Sequence, residues 1–200
     1  MELARQQWLL ARLYTQAALR QRFFRDPDAV LRELGFPPEN ASPWTGSLRE
    51  EVQSFARSLQ RKRLQDTEKI LPITRRLLGE AFVPCFLEYA EGPRPTGPSA
   101  GLEEAVAFAE FLQRADPVRH GLSPWKLDLV RYEAAQRRAL GVRFMLRHFR
   151  YPVHRWPPGP IDAPSPLRRP VWVVWFRLTR SSQLRQVVLS WPRWLSWKMS

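Results

Sequence analysis

The side chains that most often perform chemistry in proteins are few in this chain and widely spaced. The histidines are His120, His148 and His154, and none belongs to an HExxH or Cys/His zinc pattern. His148 and His154 could both ligate a metal, but no cluster of Asp, Glu or Cys joins them. Cys85 lies among aromatic residues and is predicted to be a small buried hydrophobe. No glycine-rich phosphate loop and no GxSxG nucleophile motif occurs.

Two acids, Asp128 and Glu133, are candidates for acid–base chemistry because both fall in one predicted helix. They are five residues apart, about 140° around a helix, so they do not converge as a pair. Asp128 with Arg131, and Glu133 with Arg137, are predicted to form ordinary ion pairs along the helix. The sequence therefore favours a binding protein that is not an enzyme, with no metal or other cofactor of its own. An independent enzyme stays open, because missing motifs do not exclude one.

The strongest positive signal is the basic charge of the C-terminal third. Residues 142–200 hold 11 Lys and Arg and a single acid, Asp162, so they carry +10 of the net charge of +13. Tryptophans are interleaved with these arginines. Such a segment indicates an acidic partner, which could be nucleic acid, an acidic peptide or an anionic membrane surface. An arginine-rich surface that only serves solubility is the simpler alternative.

Two partners fit a basic, aromatic sheet. It can stack single-stranded bases and pair phosphates. It can also take an extended acidic peptide as an added strand. Some of the tryptophans could instead simply form the core. For the peptide alternative, the residues predicted to bind peptide charge are Arg147, Arg177 and Arg185, and those predicted to anchor it are Trp172 or Trp175.

Helical patterns fill the first two thirds of the chain. A helix over residues 123–141 is predicted to be capped by Ser123 and ended by Gly141. Its apolar stripe consists of Trp125, Leu129 and Tyr132. Nearer the N-terminus, Asp26 is predicted to cap a short helix, and Pro72 should divide the long helical region that starts near residue 47.

The spacing of apolar residues also predicts which other side chains of these helices share a face. Leu3, Leu10, Leu13 and Ala17 are predicted to share one apolar face, and so are Val52, Phe55, Ala56 and Leu59. The basic run at residues 61–63 could contact phosphate, but the acids Asp66 and Glu68 lie beside it, so a solvated helix face is predicted. Glu103 and Glu104 are predicted to complement a helix dipole as acids of the first turn.

Beyond residue 142 the pattern changes to strands. The alternation in VRFMLRHFRY predicts a half-buried strand, and PVWVVWFRL followed by QLRQVVLSW predicts a hairpin. The proline-rich stretch between them predicts a long irregular loop. The tail repeats tryptophan at positions 191, 194 and 197.

Together these elements predict an α+β fold, with an N-terminal helical bundle followed by a small antiparallel β-sheet domain. The expected segments are a helical module at 1–36, a helical domain at 37–141 and a basic, Trp- and Pro-rich sheet domain at 142–200. One cysteine cannot form an internal disulfide, and neither a signal peptide nor a membrane span of about 18 apolar residues is visible. A cytoplasmic protein is therefore expected.

Three segments between residues 48 and 141 occur in a recognisable order: SLQRKRLQDTEKILPITRRLLGEAFVPCFLEYAEGP, AVAFAEFLQ and SPWKLDLVRYEAAQRRA. The residues that match the family pattern are Pro72, Leu78, Gly79, Phe82, Phe111, Leu112, Asp128, Leu129, Arg131, Tyr132 and Glu133. In this order they resemble the MbnC and HvfC family of partner subunits, whose older label is a DNA-binding domain family. Residues 1–36 and the C-terminal tail depart from the pattern.

The resemblance implies a role in making peptide natural products. Such proteins accompany a multinuclear non-haem iron-dependent oxidase of TIM-barrel fold, which modifies a ribosomally made precursor peptide. The oxidase holds the iron, and the partner subunit binds both the oxidase and the leader of the precursor. The family therefore implies a non-catalytic accessory subunit whose C-terminal sheet docks the leader. A nucleic-acid-binding protein that uses the same basic sheet is the alternative.

Overall fold

A computed structural model describes residues 2–36, 47–92, 94–114, 121–155, 165–179 and 182–190. The helices in these ranges are α1 (Glu2–Thr15), α2 (Ala17–Arg25), α3 (Pro27–Glu33), α4 (Ser47–Ile70), α5 (Pro72–Leu78), α6 (Phe82–Tyr89), α7 (Ala100–Arg114) and α8 (Pro124–Ala139), with short 3-10 turns at Gly79–Ala81 and Val153–Arg155. The strands are β1 (Phe144–Phe149), β2 (Val171–Phe176) and β3 (Arg185–Ser190), which form one antiparallel sheet in the order β1-β2-β3. The predicted α+β class is confirmed.

Helices α1 to α3 pack around a small core of their own. The Asp26 side chain accepts a hydrogen bond from the Ala29 amide at 2.9 Å, so the predicted cap of α3 is confirmed. The core side chains are Leu9, Leu13, Leu19, Phe23, Val30, Leu31 and Phe36, joined by Val52 of α4. The prediction for Leu3 is wrong, because that side chain is 67% exposed. The helix is interrupted at Gln16, between α1 and α2, so Ala17 belongs to a second helix.

The long helical region divides where proline predicts it. Helix α4 ends at Ile70 and α5 begins at Pro72, which has no amide hydrogen to continue the helix. On α4, Val52 and Ala56 are buried as predicted. Phe55 is 49% exposed, which corrects its predicted burial, and its ring lies against Tyr14 at a centroid distance of 4.4 Å.

A second core joins helices α5 to α8 and is rich in aromatic rings. Phe108 of α7 makes edge-to-face contacts with Phe82 and Phe86, with ring centroids 5.3 and 5.4 Å apart. Such contacts add stability beyond the burial of apolar area. Cys85 is buried in this core, as predicted.

Helix α8 contributes to two cores at once. Its predicted stripe is confirmed and packs on the sheet through Trp125, Leu129 and Tyr132. A second stripe, Val130 and Ala134, belongs to the core of helices α5 to α8. The domain boundary predicted at residue 141 therefore follows a helix whose side chains belong both to the helical core and to the core beneath the sheet.

Side chains along each strand alternate between the two faces of the sheet. The face that packs on α8, which we call the inner face, buries Met145, Phe149, Val171, Val173 and Trp175. The opposite face is the outer face. Opposed residues share a face in an antiparallel pair, so the register assigns every strand position to one of them.

Candidate functional site

The outer face of the sheet is mostly apolar and largely exposed. It consists of three rows of opposed residues, which are Phe144, Phe176 and Arg185; Leu146, Val174 and Val187; and His148, Trp172 and Leu189. The exposed fraction is 64% for Phe144, 55% for Leu189 and 43% for Val187. The rings of His148 and Trp172 lie side by side at 4.9 Å. Contiguous apolar side chains at a surface are typical of an interaction site.

Strand β3 adds an open edge to this face. Within the described ranges β3 pairs with β2 alone, so the backbone groups on its other side have no strand partner there. Five of its six residues are exposed. An exposed edge strand is a template for pairing with a further chain, and β3 carries Val187 and Leu189 beside that edge.

Two of the predicted site residues lie on the outer face. Trp172 is at the middle of its row and 40% exposed. Arg185 begins β3, is exposed, and stands opposite Phe176 in the register. The two side chains are four positions apart along the strands, which is about 13 Å. A short extended peptide can reach both.

Arg147 lies on the other side of the sheet. Its position in the register, opposite Val173, is on the inner face, where it borders a cavity of about 140 Å³ with Arg131, Arg138 and Phe149. One guanidinium nitrogen donates to the Leu146 carbonyl at 3.1 Å. The structure therefore does not bring Arg147 together with Trp172 and Arg185.

Arg177 follows β2 and folds back onto the end of α8. Its Nη2 donates to the Leu140 carbonyl at 3.1 Å, and its backbone amide donates to the Arg143 carbonyl at 2.9 Å. Its Nε is buried and finds no hydrogen-bond partner within the described ranges. These contacts join α8 to the sheet and leave Arg177 off the outer face.

Trp175 does not fit its predicted role as a surface anchor, and this expectation is corrected. Its side chain is 1% exposed and packs on Tyr132 and Phe149. The indole Nε1 donates to the Gln186 Oε1 at 3.0 Å, and the Tyr132 hydroxyl donates to the same oxygen at 3.0 Å. Trp175 is part of the core because it lies on the inner face, three positions after Trp172.

Asp128 holds the sheet to α8. Its side chain is buried and accepts hydrogen bonds from the Arg150 amide at 2.6 Å and the Tyr151 amide at 3.1 Å. The predicted ion pair with Arg131 is present at 2.9 Å. Asp128 therefore does more than form the predicted ion pair along the helix, because it also fixes the chain that leaves β1.

Glu133 holds α5 to α8, which corrects its predicted pairing with Arg137. Its Oε1 accepts from the Ile73 amide at 2.7 Å, and its Oε2 accepts from the Thr74 amide at 2.8 Å and the Thr74 hydroxyl at 2.7 Å. Arg137 donates instead to the Ile70 carbonyl at 2.8 Å. Glu133 thus caps the N-terminus of α5 from a distant helix.

The remaining residues of the family pattern shape the turn around α5. Pro72 is its first residue, and Gly79 ends it at a φ of 53°, a conformation that favours glycine. Phe82 is fully buried in the core that follows. Ser123 precedes α8, but its hydroxyl makes no capping hydrogen bond, so that predicted cap is wrong.

A buried ion pair corrects two further predictions. Arg63 is 8% exposed and Glu104 is 2% exposed, and the Arg63 Nε donates to the Glu104 Oε1 at 2.7 Å. Arg63 is therefore not part of a solvated helix face. Glu104, which was predicted to complement the helix dipole from the first turn of its helix, lies just beyond that turn. Both were predicted from local composition, which carries no information about a partner 41 residues away.

Several predicted features lie outside the described residues. These are His120, the proline-rich segment at 156–164 and the tryptophan-rich tail at 191–200. Within the described ranges, no three His, Cys, Asp or Glu side chains are grouped to hold a metal ion. The helices described there include none long and apolar enough to cross a membrane.

Neither of two comparisons with known proteins finds a match. A scan against protein-family models finds no match, and a search of curated proteins finds none either. The resemblance to the MbnC and HvfC family thus stays a prediction from sequence order.

Proposed function

We propose that this protein is a non-catalytic accessory subunit that docks the leader of an acidic precursor peptide and presents it to a multinuclear non-haem iron-dependent oxidase. The observation that supports peptide docking is the combination of an apolar outer face with the open edge of β3. The resemblance of residues 48–141 supports the oxidase, which would hold the iron. Both events would take place in the cytoplasm.

Strand addition is the binding mode that fits this surface. A peptide paired with the edge of β3 would lie about 4.8 Å from it and satisfy its unpaired backbone groups. Alternate side chains of the peptide would then stand beside Val187 and Leu189 on the outer face. Arg185 and the net charge of +10 in residues 142–200 would select acidic side chains.

Peptide docking is tested with a labelled ten-residue peptide of alternating valine and glutamate, followed by fluorescence anisotropy. Val187→Glu should weaken binding at least about tenfold, because it places a like charge beside the edge. Leu87→Glu is the matched control, since Leu87 of α6 is 41% exposed and the charge change is identical. Equal affinity of the two variants would contradict docking at β3.

A second measurement tests the strand geometry. Methylation of alternate peptide nitrogens removes the donors that pair with β3, so one of the two alternate methylation patterns should abolish binding while the other preserves it. Equal affinity for both patterns would argue against strand addition.

The oxidase is tested by co-purification with the product of a neighbouring iron-oxidase gene. A stable complex, with or without the precursor peptide, is the expected result. Failure to form a complex under either condition would count against the accessory role, whereas peptide binding would be judged separately by anisotropy.

Binding of single-stranded nucleic acid is the second candidate, and one observation favours it. The exposed Trp172 ring and the half-buried His148 ring form a pair on a sheet, an arrangement on which bases can stack. The strand register places one arginine, Arg185, on this face, which gives few contacts to phosphate. The test is a titration of the affinity for a single-stranded oligonucleotide against salt concentration. Neutralising about six phosphates would give a steep slope of log affinity against log salt concentration. Weak binding that is insensitive to salt would exclude this function.

A further inference from the structure

A small cavity lies where α1 and α2 meet α4 and the chain that follows α6. Its volume is about 30 Å³, counted as the space open to the centre of a water-sized sphere, and the cavity is not closed off from solvent. The charged side chains in its wall are Arg20, Arg63 and Arg94. It shares Thr15, Ala17 and Arg94 with a wider groove of about 650 Å³.

The three arginines are only partly neutralised. Glu104 pairs with Arg63, and its second oxygen lies 3.8 Å from the Arg94 guanidinium. Arg20 donates to the Leu13 carbonyl at 2.8 Å and has no acidic partner within the described ranges. One carboxylate against three guanidinium groups leaves an excess of two positive charges at the cavity. Glu91, the acid in the wall of the groove, is outside the cavity itself.

One donor of Arg63 lacks a well-aligned acceptor. Its Nη2 is buried and makes no hydrogen bond within the described ranges, although it lies 2.5 Å from the Glu104 oxygen that already accepts from Nε. Burying a guanidinium without filling its donors is costly. Partial burial also lowers the pKa of Arg20, the second guanidinium of the cavity. An anion in the cavity would relieve both costs.

We infer that this cavity binds a dianionic oxyanion of the phosphate class, independently of the peptide surface on the sheet. Two excess positive charges match the charge of a phosphate dianion or phosphate monoester. The guanidinium fork fits two oxygens of such a group, and the three arginines approach it from different elements. The adjoining groove offers space for the organic part of a monoester.

The test is a calorimetric titration of the full chain at constant ionic strength, with inorganic phosphate and with phenyl phosphate as separate probes. Saturable binding of phosphate is expected. Tighter binding of phenyl phosphate would assign the site to organic phosphates that use the groove, and equal binding would assign it to the free ion. Failure of both probes to saturate at millimolar concentrations overturns the inference.

Variants identify the cavity as the site. Arg94→Gln should weaken phosphate binding at least about tenfold, because it removes a charged donor, and its partly exposed position spares the fold. Arg63→Lys keeps the charge beside Glu104 but loses the fork and should also weaken binding. Arg57→Gln, at an exposed arginine of α4 that does not line the cavity, is the matched control and should bind like the native protein. Equal affinity of Arg94→Gln and Arg57→Gln overturns the inference.

Discussion

Replacing Glu133 by glutamine tests whether the cap of α5 stabilises the fold. The carboxylate accepts from one donor through Oε1, the Ile73 amide, and from two donors through Oε2, the amide and hydroxyl of Thr74. Glutamine has the same shape but only one acceptor atom. With its oxygen toward Thr74, its NH₂ group faces the Ile73 amide, and two donors then oppose each other.

The expected cost follows from these contacts. One backbone donor left without an acceptor costs about 1–3 kcal/mol. Loss of a negative charge at a helix N-terminus adds about 0.3–1 kcal/mol. In the native protein, the free-energy cost of ionising a buried carboxyl offsets part of the stabilisation that these contacts provide. We therefore expect Glu133→Gln to lower the free energy of unfolding by about 2 kcal/mol at neutral pH.

Urea unfolding followed by circular dichroism measures this change. With a slope of about 2 kcal/mol per molar urea, the midpoint should fall by about 1 M. Glu110→Gln is the matched control, because Glu110 is 45% exposed and pairs with Arg138 at the surface, which is worth little. If Glu133→Gln and Glu110→Gln shift the midpoint equally, the cap does not stabilise α5 as argued.

The pH dependence of the same variant follows from the pKa of Glu133. Burial raises this pKa above the unfolded value of 4.5, while the hydrogen bonds from Ile73 and Thr74 and the charge of Arg137 oppose the shift. An acid with a raised folded pKa contributes fully below its unfolded pKa and loses that contribution as the pH rises through the folded pKa. The deficit of Glu133→Gln should thus shrink from pH 4.5 toward neutral pH, and a growing deficit would contradict this direction.

Two further predictions concern buried hydroxyl and indole groups. Gln186→Leu should lower the free energy of unfolding by about 2 kcal/mol, because the Tyr132 hydroxyl and the Trp175 indole lose their shared acceptor. Gln186→Glu keeps an acceptor and should lower it less. Urea unfolding followed by tryptophan fluorescence measures both changes. Tyr89→Phe should raise the free energy of unfolding by up to about 1 kcal/mol, since the Tyr89 hydroxyl is buried and finds no hydrogen-bond partner within the described ranges. Burial and the nearby Glu104 raise the pKa of Tyr89 to about 12, so an ultraviolet titration should lose one late-titrating phenol in this variant; a destabilised variant would show that the hydroxyl has a partner.

Helix ends were predictable where the deciding residue is close in the chain. Asp26 lies three residues before the amide that it accepts from, and Pro72 stops α4 through its own missing hydrogen. Both effects act within one turn, so composition and spacing are enough. Ser123 shows the limit: the residue type is right for a cap, but its hydroxyl makes no capping bond.

The two faces of the sheet could not be told apart from the alternation alone. Strand β2 reads VWVVWF, so both of its faces are apolar and each holds a tryptophan. Only the packing of α8 on one side makes Trp175 a core residue and leaves Trp172 exposed. The predicted peptide contacts were divided between the faces for the same reason, with Arg147 on one and Arg185 on the other.

The sequence by itself determined the α+β class, the basic C-terminal third, the division at Pro72 and the apolar stripe of α8, because each depends on neighbours within a few residues. The tertiary structure alone decided which polar groups meet. Glu133 reaches α5 across about 60 residues of chain, and Arg63 reaches Glu104 across 41. Such partners are selected by the burial of whole helices against one another, which local hydrogen bonding and spacing do not encode.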